Sequence, residues 1–300
     1  MTDLTAQMIA ILRRNGRASY SEIARELGTN RDHVASRINP LIESGQLRIV
    51  AGVHPRLLGL TTTAHLSIKA DGDLGEVTAA LEKFEDPVLI SVVSGTFQIV
   101  VELQVRSLTE LRTQVRAIRS VPGVREILVH IYEQILSSFF VGREPDSHTR
   151  LGEIDINIVN RLLRDGRANF ADIAEVVGLS VSGCRTRVRR LLKSGVVQIG
   201  AIKQRSDMLN DLLFGIGVAI RGDEQPAIEA INASPGLEFI ARTVGRFDLI
   251  TTVEFRTLRE FNLLISQLRA LPTVTCCEQW LHMRIVREQY FRAVTQINQP

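Results

Sequence analysis

Leu4, Met8, Ile11 and Leu12 are spaced four, three and one residues apart, which puts them on one face of a helix. Ile154, Ile158, Val159 and Leu162 do the same in the second half of the chain. Asn15-Gly16 and Asp165-Gly166 then interrupt the apolar stripe, a signal for a helix C-terminus. Ile23, Ala24 and Leu27, like Ile173, Ala174 and Val177, are spaced for a short second helix that ends at Gly28 or Gly178. A small polar turn follows, then a third helix running to Ser44-Gly45 or Ser194-Gly195. Three short helices with a tight turn between the second and third predict a helix-turn-helix, a generic three-helix bundle being the alternative. Beyond residue 45 the apolar period falls to two, and strand and helix alternate. Strands are expected near 61–70, 88–94, 96–105 and 123–132, with helices near 73–84 and 107–120. The second half repeats this with strands near 211–221, 236–244, 246–255 and 273–283, and helices near 223–233 and 257–270. That order is βαββαβ, the ferredoxin-like split motif.

The two halves are related by a fixed offset of 150 residues. Gly16-Arg17-Ala18 recurs as Gly166-Arg167-Ala168, Gly95 as Gly245, Phe97 as Phe247, and Pro122 as Pro272. A register that survives this long is a tandem duplication of a domain-sized unit, far above the period of about 20–50 residues of a solenoid. The expected fold class is therefore α+β, in two tandem units, each a winged-helix-like helix-turn-helix followed by a ferredoxin-like βαββαβ domain. The expected boundaries are helix-turn-helix 1–50, sheet domain 51–142, linker 143–152, helix-turn-helix 153–202 and sheet domain 203–300. Residues 133–141 are too apolar for a linker and are expected to extend the last strand or pack between modules.

Charge sharpens the picture. Residues 1–50 hold seven arginines against five acids, a balance of +2, and residues 151–200 hold eight Arg and Lys against five acids, a balance of +3, whereas the whole chain is only +3. A basic module joined to a near-neutral one fits a nucleic-acid reader attached to something else. No apolar run is long enough to span a bilayer, the first residues lack a secretory pattern, and Cys184, Cys276 and Cys277 form no repeated pair. A cytoplasmic protein with reduced thiols and no membrane partner is expected.

The third helices hold the best candidate chemistry. Arg185, Arg187, Arg189, Arg190 and Lys193 occur with no acid among them, behind Ser180, which is placed to cap the helix, and Ser182. Such a helix suits the major groove, with arginines on phosphate or guanine. The first copy keeps Asn30, Arg31, His33 and Arg37 but adds Asp32 and Glu43, and places Pro40 inside the helix, where it is expected to kink or shorten it. The second module is therefore expected to supply most of the affinity for double-stranded DNA. The chain has no paired-cysteine zinc pattern, no phosphate-binding glycine loop and no Gly-x-Ser-x-Gly elbow. No catalytic residue, metal or cofactor is expected, and the chain reads as a non-enzyme. His130 and His282 read as surface or edge histidines.

In Ile154-Asp155, Asp165-Gly166-Arg167, Ile173-Ala174, Gly178-Leu179-Ser180, Cys184-Arg185-Thr186-Arg187-Val188-Arg189-Arg190-Leu191 and Ser194-Gly195, the sequence resembles the leucine-responsive/asparagine-regulatory (Lrp/AsnC) family of transcription regulators. The resemblance covers nearly the whole chain twice, although members usually carry one copy. It implies that the sheet domains, called RAM domains in the family, assemble the protein as a homo-oligomer. It also implies that they bind a small effector, often an amino acid, near the middle hairpin. The family's Gly-x-aromatic-Asp motif is present as Gly245-Arg246-Phe247-Asp248, against Gly95-Thr96-Phe97-Gln98 in the first copy. The family's late-strand threonine corresponds to Val129 and Gln279. The effector residues so implied are Gly245, Phe247, Asp248, Gln279, Gly95 and Gln98, with Asp248 either receiving an effector ammonium or fixing the hairpin turn. Sirohaem-type tetrapyrrole decarboxylases resemble the same family and include fused double copies, which makes them the alternative function.

Overall fold

A computed structural model describes residues 4–138, 151–203 and 212–289. Most of the expected linker (143–150) and the tail beyond 289 lie outside the described residues. The first copy runs α1 (Leu4–Arg14), α2 (Tyr20–Glu26), α3 (Arg31–Glu43), β1 (Leu47–Val53), β2 (Thr62–Ala70), α4 (Leu74–Leu81), β3 (Pro87–Val93), β4 (Ile99–Val105), α5 (Leu108–Arg119) and β5 (Val124–Ser138). The second runs α6 (Glu153–Arg164), α7 (Phe170–Val177), α8 (Val181–Lys193), β6 (Val197–Lys203), β7 (Leu212–Ile220), α9 (Gln225–Asn232), β8 (Leu237–Val244), β9 (Leu249–Phe255), α10 (Leu258–Ala270) and β10 (Val274–Glu288). Each copy is thus a helix-turn-helix followed by a βαββαβ sheet domain. In space, like groups with like: one compact unit holds both helical sets and the other both sheets.

In the helical unit, Met8, Leu12, Ile23, Val34 and Ile38 are fully buried, as the apolar spacing predicts. Ser19 and Glu22 close a reciprocal capping box at the start of α2, and Asn169 with Asp172 replaces it in the second copy. Gly28 and Gly178 sit at φ 64° and 66°, the left-handed conformation the tight turn requires. Pro40 does not shorten its helix, contrary to expectation: α3 and α8 both span 13 residues. Pro40 lies exposed in the last turn, and its own carbonyl still accepts from Ser44 N at 3.0 Å. The loss is one hydrogen bond on a solvated face, where water can serve the bereft carbonyl.

The two helical sets share their cores. β1 and β6 pair antiparallel, Val50 opposite Gly200. Ala51 of β1 joins the core of the second set, while Ala201 of β6 joins that of the first. Gly16 N donates to the Ile199 carbonyl at 2.8 Å, and a Cβ on Gly16 would lie 2.9 Å from Gly200 N. Gly16 therefore serves close backbone approach between copies more than helix termination. The next residue completes the contact: Arg17 donates to the Gly166 and Ala168 carbonyls, both at 2.8 Å, and Arg167 returns bonds to the Gly16 and Ala18 carbonyls at 2.9 and 3.2 Å. Arg17 also lies 4.7 Å over the Phe170 ring, and Arg167 5.7 Å over Tyr20.

In the sheet unit, each copy orders its strands as a ferredoxin-like sheet, β3-β4-β2-β5 and β8-β9-β7-β10, and the two sheets close into one barrel. Two long strands effect the closure. β5 pairs with β2 through Ile131 and then with β8 out to Ser138, and β10 pairs first with β7 and then with β3. The apolar stretch after residue 132 is thus strand as far as Ser138, and it reaches the other copy's sheet. Ala64, Leu66 and Ile68 face helix residues Leu111, Val115 and Ile118, with an equivalent core in the second copy. The opposite faces turn inward around a smaller cluster that includes Val93, Val100, Phe247, Ile250 and Trp280. Copy pairs with copy inside one chain.

Candidate nucleic-acid interface and effector cleft

α8 buries Cys184, Val188 and Leu191 and leaves the rest of its surface outward. Ser180 Oγ accepts from Gly183 N at 3.1 Å and lies 3.3 Å from Ser182 Oγ, which fixes the N-terminus. The arginines then divide. Arg187 and Arg190 reach back to the buried carboxylate of Asp155 on α6, at 3.0 and 2.5 Å. Asp155 was unassigned in sequence; only folding sets it beneath the basic helix. Arg185 and Arg189, one helical turn apart, stay exposed with Ser182 on the same stripe. Arg185 lies 5.3 Å over the Phe170 ring, and Arg189 has no ionic partner among the described residues.

α3 offers less. Asn30 caps it, accepting from His33 N at 2.8 Å, and Arg31 is partly neutralised by Asp32 at 3.5 Å. Arg37 is exposed and lacks the anchor of its counterpart Arg187, because Thr5 stands where Asp155 would be. Ala35 and Asn39 replace Arg185 and Arg189, and Asn39 accepts from the Tyr20 hydroxyl at 2.7 Å.

A cavity of about 310 Å³ opens at the first-copy hairpin of the barrel. Gly95, Phe247 and Gln279 line it, together with Ser67, Phe97, Arg246, Glu278 and Trp280, which sequence reasoning did not assign to it. Asp248 and Gln98 are not among the lining residues. Asp248 Oδ2 accepts from Ile220 N at 2.6 Å, and Gln98 Oε1 accepts from the equivalent Ala70 N at 3.1 Å. Both side chains tie the hairpin to the neighbouring strand end, the turn-fixing alternative for Asp248. Gly245 packs on the other copy: a Cβ there would meet His130 Cδ2 at 2.7 Å. Arg246 pairs with Glu278 at 2.6 Å and lies 5.2 Å over the Phe247 ring.

The barrel interior is unusually polar. His130 and His282 are not surface histidines, as read from sequence, but buried, because the long strands that hold them pass from one copy's sheet to the other's at these positions and close the barrel over them. His130 stacks on Phe247, with ring centroids 5.2 Å apart. His65 Nε2 lies 3.2 Å from Ser67 Oγ, and Tyr132 donates to the buried Glu102 at 2.6 Å. Burial pushes the Tyr132 phenol well above its usual range, with Glu102 adding to the effect. Both ring nitrogens of His130, and Trp280 Nε1, lack a hydrogen-bond partner among the described residues. Burial, with smaller contributions from His65 and Arg246, pulls the His130 imidazole down to about 4.

A neutral buried histidine makes the sheet unit sensitive to acid. The unfolded chain takes up the His130 proton from about pH 6.5 downward, and the folded chain only near 4, so stability is full above 6.5 and falls through that window. The expected loss is about 3 kcal/mol. Urea unfolding followed by the fluorescence of Trp280, the single tryptophan, should reveal it. His130→Phe should flatten the pH dependence; an unchanged slope would remove His130 as its source.

Comparison with known proteins follows the same lines. The AsnC-type helix-turn-helix domain matches residues 1–42, and a winged helix-turn-helix DNA-binding domain matches residues 151–198. The HTH-type transcriptional regulator FL11 of Pyrococcus abyssi is 31% identical over 126 residues, covering 41% of this chain and 83% of that regulator. An uncharacterised HTH-type transcriptional regulator of Pyrococcus horikoshii is 26% identical over 142 residues, 47% of this chain and 96% of that protein. Along the whole length, the chain is similar to the crystal structure of the siroheme decarboxylase NirDL, with a TM-score of 0.59, 17% identity and 96% of each chain covered. That last likeness corrects the expectation of a non-enzyme: the double-length fold is one that an enzyme uses. At this identity the likeness is one of fold.

Proposed function

The chain belongs to the Lrp/AsnC family of helix-turn-helix transcription regulators, in double-length form, and from this we propose that it reads double-stranded DNA asymmetrically and responds to a small effector held in the barrel cleft. The observation that carries the reading is the division of the α8 arginines. Asp155 holds Arg187 and Arg190 in place, while Ser182, Arg185 and Arg189 form an exposed stripe whose arginines make no ion pair among the described residues. A fixed helix with free arginines at one-turn spacing suits base and phosphate contact in a major groove. α3, with Asn30, Arg31, His33 and Arg37 but no equivalent of Arg185 or Arg189, supplies the weaker half-site. The reciprocal arginine contacts hold the two readers together, as a second chain would for a single-copy member. Further association into a homo-oligomer is part of this reading.

Recovery of bound genomic fragments, followed by mobility-shift titration, tests it. A steep fall in affinity with salt is expected, as phosphate contacts release counterions. Binding that is weak and indifferent to DNA sequence would overturn it. For the effector, an amino acid remains within the reading, and the cavity volume of about 310 Å³ suits a molecule of that size.

A second reading, tetrapyrrole decarboxylation, is favoured by the full-length likeness to siroheme decarboxylase and by the buried His65, His130 and His282. The cleft is too small for a macrocycle without opening. Addition of iron-uroporphyrin III decides it: a shifted, saturable Soret band supports this reading, and an unshifted one removes it.

A further inference from the structure

The barrel has two mouths related by the 150-residue repeat, yet they differ. In the second copy, Phe247 is buried against Gly217, where a Cβ would come 2.4 Å from the Phe247 ring. The ring can occupy that seat only because residue 217 has no side chain. In the first copy the equivalent pair is Phe97 and Ser67. Ser67 carries a Cβ, so Phe97 cannot take the equivalent seat; it stays half-buried at the cavity wall. The space that Phe247 fills on one side is, on the other, the cavity. A single hydrogen-to-hydroxymethyl difference on one strand thus decides which of the two phenylalanines can seat its ring against that strand.

The lining of the open mouth has a definite chemistry. Phe97, Phe247 and Trp280 present aromatic surface. Trp280 is 8% exposed, and its indole edge packs over the Gly215 backbone, where a Cβ would come 2.1 Å from the ring, so the residue offers the cavity ring surface rather than its N–H. Arg246, at the rim, carries a charge it shares with Glu278 and can offer to an anion. We propose that the chain binds one small aromatic acid per molecule, in the first-copy mouth alone, its ring among Phe97, Phe247 and Trp280 and its carboxylate on Arg246, in place of Glu278. This rests on reading the cleft as a ligand site, and adds to that reading the ligand class and the stoichiometry.

Phenylacetate is the probe, with acetate as the control without a ring and benzyl alcohol as the control without a charge. Calorimetry of the full chain gives the stoichiometry, and Trp280 fluorescence reports occupancy. One phenylacetate per chain is expected, bound about tenfold or more tightly than either control. Ser67→Gly should let Phe97 swing into the vacated seat and abolish the titration, with the thermal transition checking that the variant folds. Ser67→Gly combined with Phe97→Ala should recover a weaker titration, because the blocking ring is gone while Phe247 and Trp280 still line the cavity. No titration by phenylacetate in the unaltered chain overturns the aromatic-acid proposal, and the ligand-site reading falls with it only if a panel of amino acids fails to titrate as well. Two sites per chain, or full binding by the Ser67→Gly variant, overturns only the single open mouth.

Discussion

Replacing Arg185 and Arg189 together by alanine should weaken DNA binding by roughly two orders of magnitude, since each arginine at a base or phosphate contributes about 1–3 kcal/mol. The salt dependence of binding should become shallower in the same titration, because fewer counterions are released. The paired replacement of Arg187 and Arg190 serves as the contrast. These side chains are already committed to Asp155, so the first effect expected is on the packing of α8 against α6, visible as a lower thermal midpoint. Removing them leaves a buried carboxylate without its cations, which is the costly way to break such a pair. If both double variants lost DNA affinity equally, with no difference in stability, the division of labour along α8 would be wrong. Arg31→Ala with Arg37→Ala in the first copy should cost less than the change at Arg185 and Arg189, and equal losses would remove the asymmetry.

Arg17→Ala combined with Arg167→Ala should destabilise the helical unit by about 4 kcal/mol, taking each of the four bonds at about 1 kcal/mol, below the usual charge-assisted range, because both side chains are only half-buried. Four carbonyls, those of Gly16, Ala18, Gly166 and Ala168, lose their donors at once. Lysine should not rescue either position, since a single ammonium cannot bridge two carbonyls with the planar fork that arginine offers. Urea unfolding monitored by helical circular dichroism gives the value. The Trp280 signal, from the sheet unit, should keep its midpoint. A double variant as stable as the unaltered chain would show that the shared strands β1 and β6 alone hold the two helical sets.

Much of this molecule was legible in its sequence because its signals are local. Helix faces follow from apolar spacing, as at Met8 and Leu12, and turns follow from the glycines at 28 and 178. The repeat carries the element order from one copy to the other, and the Ser180 cap needs only its own helix. Tertiary structure decided what depends on distant partners. The recurrence of Gly16-Arg17-Ala18 is visible in sequence, but its reason is visible only when each triplet meets the other copy. Four arginines on α8 look alike until Asp155, about thirty residues earlier, claims two of them. His130 and His282 look peripheral until long strands, crossing from one copy's sheet to the other's, carry them into a barrel. Gly217 and Ser67 differ by one small group, and only the ring packed against the glycine makes that group decide which phenylalanine can seat its ring against the strand. Sequence alone thus determined the units and their order, because backbone preference and apolar periodicity act over a few residues. The closure of copy on copy, and with it the cleft and the free arginines, was decided by contacts between residues that no local pattern relates.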